Sequence, residues 1–256
     1  MRRRTRALLL AALGLAVFAA GTGAGLAGKA PATLPLPAGG RVGVVNLLDA
    51  QVTHFHSSRK LEDSFLKTYT VNWSVSSMLL AALRDAMAQH GLTPVPVAPS
   101  DELRRARETC FLDAALAKGL PKPCVPLYAQ LAASQRLDAI IVLGPGRNDS
   151  THAGGARHKE LPEYLRGWCF VTGERSADAP PTLLNLTELL LVQVSGTDTR
   201  LSARQWGGNG QSWLGYQPPP DLKAFSDAQL DQLQPLFGAM LKQQADRLLA
   251  ALPVSR

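Results

Sequence analysis

The chain has 256 residues, 46% of them hydrophobic, with 27 Lys and Arg against 20 Asp and Glu and a formal net charge of +7. Four of the arginines (Arg2, Arg3, Arg4 and Arg6) lie in the first 27 residues with no acid among them, so the remainder sets 23 basic against 20 acidic side chains, about +3. A charge this small excludes the basic field expected of a nucleic-acid partner, and the apolar fraction excludes a disordered chain and suits one domain with a real core.

Residues 1–27 read as a secretory signal peptide: a basic end, an uncharged apolar run over residues 7–20, then small residues, with cleavage after Ala24 or Ala27. The alternative is an uncleaved anchor running to Leu26, the one route to a membrane that the sequence offers. No cysteine follows the apolar run, so a lipid-anchored amino terminus is not indicated. The expected location is periplasmic or secreted. Residues 28–40, rich in Pro, Ala, Gly and Leu, read as a flexible lead-in, and residues 41–256 as a single domain.

RVGVVNLL, from Arg41, is a short continuous apolar run and predicts a strand buried on both faces. Two further strands follow, joined by the polar stretch 57–63; the first places Val52, His54 and His56 on one side and Thr53 and Phe55 on the other. Val75, Met78, Leu79, Ala82, Leu83 and Ala86 recur at helical steps, and Gly91 is placed to end that helix. Pro94 and Pro96 stand two apart in LTPVPVAPS, removing both amide donors from the same side of an extended segment and predicting an edge strand. Ser100 with Asp101 and Glu102 starts a second helix, read through Ala117, and Pro126 a third, which hands directly to a central strand at DAIIVLG. Residues 144–163 form the longest loop-like stretch. Residues 164–206 read as an antiparallel meander with a tight turn at SGTDT, and Ser226 with Gln229 gives a capping-box spacing before a long helix to Leu252, interrupted or restarted at Pro235. The expected fold class is α/β of mixed type: one mixed sheet flanked by helices, with a meander and a long carboxy-terminal helix.

Three cysteines in an exported chain invite pairing. Cys110 and Cys124 bracket CFLDAALAKGLPKPC, where Pro121 and Pro123 can turn the chain back. A bridge there closes about 15 residues, worth about 3 kcal/mol. Cys169 is left over and reads as buried in a strand, and no C-x-x-C pair points to a metal.

The order of these parts, with LAASQRLDAIIVLG and the turn VQVSGTDTRLSARQW, resembles the exported α/β domain shared by the amino-terminal region of TolB, the curli-secretion lipoprotein and related periplasmic proteins. The resemblance spans roughly residues 41–252, without a lipid-attachment cysteine and with a longer loop after residue 144. It implies an envelope protein that works by binding other proteins, and it offers no catalytic residues.

Candidate sites are few. His54 and His56 are spaced to ligate one metal ion if His152, His158 and Glu160 supply the remaining ligands; the plainer reading is a partly exposed strand. GPGRNDSTHAGGARHK, with Arg147, Arg157 and Lys159, is able to cradle an anion, though it lacks the endings of the known phosphate loops. Arg147, His152, Arg157 and His158 are therefore binding candidates, as long loops tend to carry partner contacts. Trp206 and Trp213, with Tyr216, either form a recognition surface or cover the end of the core. GQSWLG is not a nucleophile elbow. The expectation is a non-enzymatic envelope protein, without cofactor or nucleic acid, acting on a protein partner as an accessory or assembly factor; the alternative is a metal- or small-ligand-binding protein using His54 and His56.

Overall fold

The computed structural model describes residues 35–112, 116, 118–146, 162, 164–173, 180–196, 198–208 and 210–252, within one compact unit. The apolar run at Arg41–Asn46 is β1, its four middle residues buried. β2 (Gln51–Ser57) and β3 (Phe65–Thr70) are joined through a 3-10 turn at Leu61–Asp63. The Ser74 hydroxyl accepts from the Ser77 amide to start α1 (Val75–Gln89), and Gly91, at φ 65°, ends it. β4 (Thr93–Pro96) follows, then α2 (Asp101–Arg105) and α3 (Arg107–Leu112), α4 (Val125–Gln135) and β5 (Ala139–Pro145). β6 (Gly167–Gly173), β7 (Thr182–Ser195), β8 (Asp198–Trp206) and β9 (Gly210–Ser212) lead to α5 (Asp227–Asp231) and α6 (Leu233–Ala250). At α5 the Ser226 hydroxyl accepts from the Gln229 amide and the Gln229 side chain accepts from the Ser226 amide, a complete capping box.

The sheet is organised around β7. One edge of this 14-residue strand pairs antiparallel with β5 at Thr187–Gln193 and with β6 at Thr182–Leu186, so β5 and β6 lie end to end. The other edge takes β8 and then β9 in the same manner. β1 runs parallel to β5, and β2 parallel to β6, so β1 and β2 are likewise end to end. Three of the four long strands are therefore interrupted at one level, and β7 alone crosses it unbroken. β4 and β8 form the outer edges of one half, β3 and β9 those of the other.

Alternation along the strands sorts the core into two layers. Val44, Ile141, Leu143, Leu189 and Leu191 face α1 and α6, while Val45, Ile140, Val142, Leu190 and Val192 face α3 and α4. In the second layer the Phe111 ring lies against Gly144 so closely that a Cβ there would stand 2.5 Å from it. Cys110 and Cys124, 14 residues apart, are joined by a disulfide with Cα atoms 5.8 Å apart, tying α3 to the start of α4. Cys169 is fully buried, and burial pushes its thiol up to about 12. We expect no cysteine to be alkylated in the native, unreduced protein and one in denaturant; a count of three would mean the bridge does not form. Replacing Cys110 and Cys124 together by serine should cost about 3 kcal/mol in chemical denaturation.

Three expectations need correction. The helix predicted to run from Ser100 through Ala117 is broken at Ala106, whose ψ of 0° leaves the helical path, and residues 113–115 and 117 lie outside the described ones. Residues 35–40, expected to be a flexible lead-in, are tied down: Leu36 is buried, the Gly39 amide donates to the Gly91 carbonyl and the Thr93 amide to the Gly40 carbonyl. The carboxy-terminal helix is interrupted at Gln232 rather than restarted at Pro235.

Candidate functional site

At the level where three strands stop, β1 and β5 end against α3 and leave a crevice of about 280 Å³. Its position outside the carboxyl ends of two parallel strands is where open α/β sheets place their ligands. Asn46 shapes the floor: its side chain accepts from the Leu48 amide and donates to the Leu48 carbonyl, turning the chain out of β1. Asp49, just beyond, is joined by Arg107 of α3 at 2.8 Å, an ion pair of partly exposed side chains. Glu108 and Arg166 add one charge of each sign, and Thr53 and Thr68 put two hydroxyls 3.4 Å apart on the opposite wall. Leu66 and Tyr164, both lining the crevice, are 42% and 67% exposed. The described lining holds no histidine, cysteine or serine. Such a wall offers hydrogen bonds, balanced charge and apolar contact, and no activated nucleophile.

His54 and His56 lie on the other face of the sheet, toward α1 and α6, and are buried, at 0% and 7% exposure, which corrects the partly exposed strand expected. Nε2 of His54 is 2.7 Å and Nδ1 of His56 2.8 Å from the one Thr172 hydroxyl. That hydroxyl has a single proton, so with both rings neutral it donates to one imidazole and accepts from the other. His54 stacks on Phe170 with centroids 4.3 Å apart and meets Phe65 and Phe225 edge-on. Burial first, and then the neighbouring His56, hold its pKa down to about 3; the Leu222 backbone works in the other direction without closing a regular hydrogen bond to Nδ1. One nitrogen of each ring is thus committed to Thr172. Among the described residues no group of three or more His, Cys, Asp or Glu is placed to hold a metal ion.

Trp206 and Trp213 do not share a surface. Trp206 is half-buried and packs near Leu165 and Cys169 on the crevice side of the sheet. Trp213 is 2% exposed on the opposite face, with Phe170, Tyr216 and Phe225 around it. Arg147, His152, Arg157, His158, Lys159 and Glu160 lie outside the described residues. The crevice residues Asp49, Arg107, Thr68 and Tyr164 were not foreseen, since no two of them belong to one motif. The available signal was the polar step LLDAQ that follows the β1 run.

Fold and crevice together define a mixed α/β domain whose split sheet carries a cleft at the break. No protein-family model and no curated protein matches the sequence. Among solved structures, a hypothetical protein from Chlamydia trachomatis is similar over 82% of this chain and 94% of its own, with a TM-score of 0.39 and 9% identity. Among the described residues no helix is long and apolar enough to cross a membrane.

Proposed function

We propose that the protein is exported to the cell envelope and acts there, without catalysis, as an accessory or assembly factor that binds a protein partner at the crevice. The observation carrying this reading is the composition of the crevice: exposed Leu66 and Tyr164 on a wall whose principal charges, Arg107 and Asp49, are already paired. An apolar anchor beside satisfied polar groups suits a protein surface. The signal-like residues 1–27 and the Cys110–Cys124 bridge fit an oxidising compartment. The order of elements resembling the TolB amino-terminal domain supports the same reading.

Crosslinking in intact cells, followed by capture of the carboxy-terminally tagged chain and mass spectrometry, tests it. A reproducible envelope partner is expected, with its recovery lowered at least tenfold when Leu66→Asp and Tyr164→Ala are combined. Empty capture from well-expressing cells, or capture indifferent to the two substitutions, would count against it.

A further inference from the structure

On the side of the sheet away from β8 and β9, the two outer strands end it in opposite ways. On β4 the Thr93 amide donates to Gly40 and the Val97 amide to Val44, so residues 93, 95 and 97 turn toward β1. The two positions facing outward are Pro94 and Pro96, which have no N–H to offer, and that edge is blocked to further pairing. On β3 the Val71 amide donates to Ala50 across the ladder to β2, so Phe65, Lys67 and Tyr69 turn inward by the alternation of an antiparallel pair. Leu66, Thr68 and Thr70 therefore face outward. Among the described residues they make no backbone hydrogen bond beyond the ladder, their side chains are exposed, and none is proline.

We infer that the β3 edge pairs with the β3 edge of a second copy of this chain, antiparallel about a two-fold axis at Thr68. This register sets each outward residue opposite an outward residue: Leu66 against Thr70, Thr68 against Thr68, Thr70 against Leu66. Such pairs exchange both backbone hydrogen bonds, about six in all. Thr68 already stands 3.4 Å from Thr53 by their hydroxyls, so the pairing extends a threonine ladder across the axis. The only charge on β3 is Lys67, and the register places it opposite Tyr69 rather than the other lysine. Lys67 already lies over the Tyr69 ring of its own strand, 5.1 Å from the centroid, so cation and ring are matched and no like charges meet. A two-fold self-pairing thus uses the outward-facing backbone groups of β3, while the side chains of Leu66 and Thr68 also line the crevice, so the edge and the crevice share one wall.

Sedimentation equilibrium of the tag-free protein over a wide concentration range tests this. The wild type should be a dimer at high concentration. Thr68→Pro removes the outward-facing N–H together with the hydroxyl that meets Thr53, spares the backbone bonds of the β2–β3 ladder and should raise the dissociation constant at least tenfold. Thr68→Lys and Thr68→Glu each place like charges across the axis and should be monomeric, whereas an equal mixture of the two should recover the dimer. Circular dichroism on each variant separates lost pairing from lost folding, and the lysine–glutamate pair keeps the test valid if Thr68→Pro does not fold. A wild type monomeric throughout, or dimers that survive Thr68→Lys, would overturn the inference.

Discussion

Between pH 7 and pH 4 the wild-type protein should lose about 3 kcal/mol more stability than a His54→Phe variant. The sign follows from where His54 takes up its proton. Unfolded, it titrates near its ordinary value of 6.5; folded, it is held to about 3 by burial and by His56. Below pH 6.5 the unfolded chain binds a proton that the native one refuses. The stability contributed by the neutral ring is therefore complete above pH 6.5 and drains away as the pH falls toward 3, at about 1.4 kcal/mol per unit. Phenylalanine suits the site because Phe65, Phe170 and Phe225 already surround it, and the Thr172 hydroxyl keeps His56 as a partner. Paired denaturation curves at several pH values measure the difference, which cancels the carboxylates common to both proteins. Equal acid losses in the two would mean that His54 charges in the native state.

Gln244→Leu should cost about 3 kcal/mol or more, with the denaturation midpoint moved and the slope unchanged. Gln244, on α6, is fully buried. Its Nε2 donates to the Gln205 carbonyl at 2.7 Å and the Thr187 carbonyl at 3.3 Å, and its Oε1 accepts from Asn185 Nδ2 at 3.0 Å and the Thr187 hydroxyl at 3.1 Å. Those residues sit on β7 and β8 at the break, where one set of ladders gives way to the next. Leucine fills the volume but leaves the Asn185 amide donor without a partner and takes from the Gln205 carbonyl its 2.7 Å side-chain bond in an apolar layer, and each such loss costs about 1–3 kcal/mol. A loss below 1 kcal/mol would show that water enters at the break and replaces the glutamine.

Legibility in the sequence tracked how local the determining physics is. The paired prolines of β4, the stripe of α1, the capping box of α5 and the central position of β5 each follow from residues within one turn or one strand, and the structure has them. So does the placement of Val52, His54 and His56 on one side of β2. The burial of the histidines did not follow, because the rings that enclose His54 include Phe170 and Phe225, 116 and 171 positions away in the chain. The crevice was illegible for the same reason. Asp49 and Arg107 are 58 positions apart, and what unites them is that two pairs of strands happen to be collinear, a property of register that no periodicity encodes. β9, three residues long, carries no period at all.

The continuity of β7 divides the molecule's capacity for change. Its backbone is held on both edges on each side of the break, so neither half-sheet can open without stripping groups from the strand that holds the other, and the two halves stand or fall together. The interruptions in the other three strands lie between ladders, where added residues displace no rung. The chain has used one of them generously, with twenty-one residues between β5 and β6. A scaffold so arranged can lengthen and diversify what surrounds its cleft while the frame beneath stays constant.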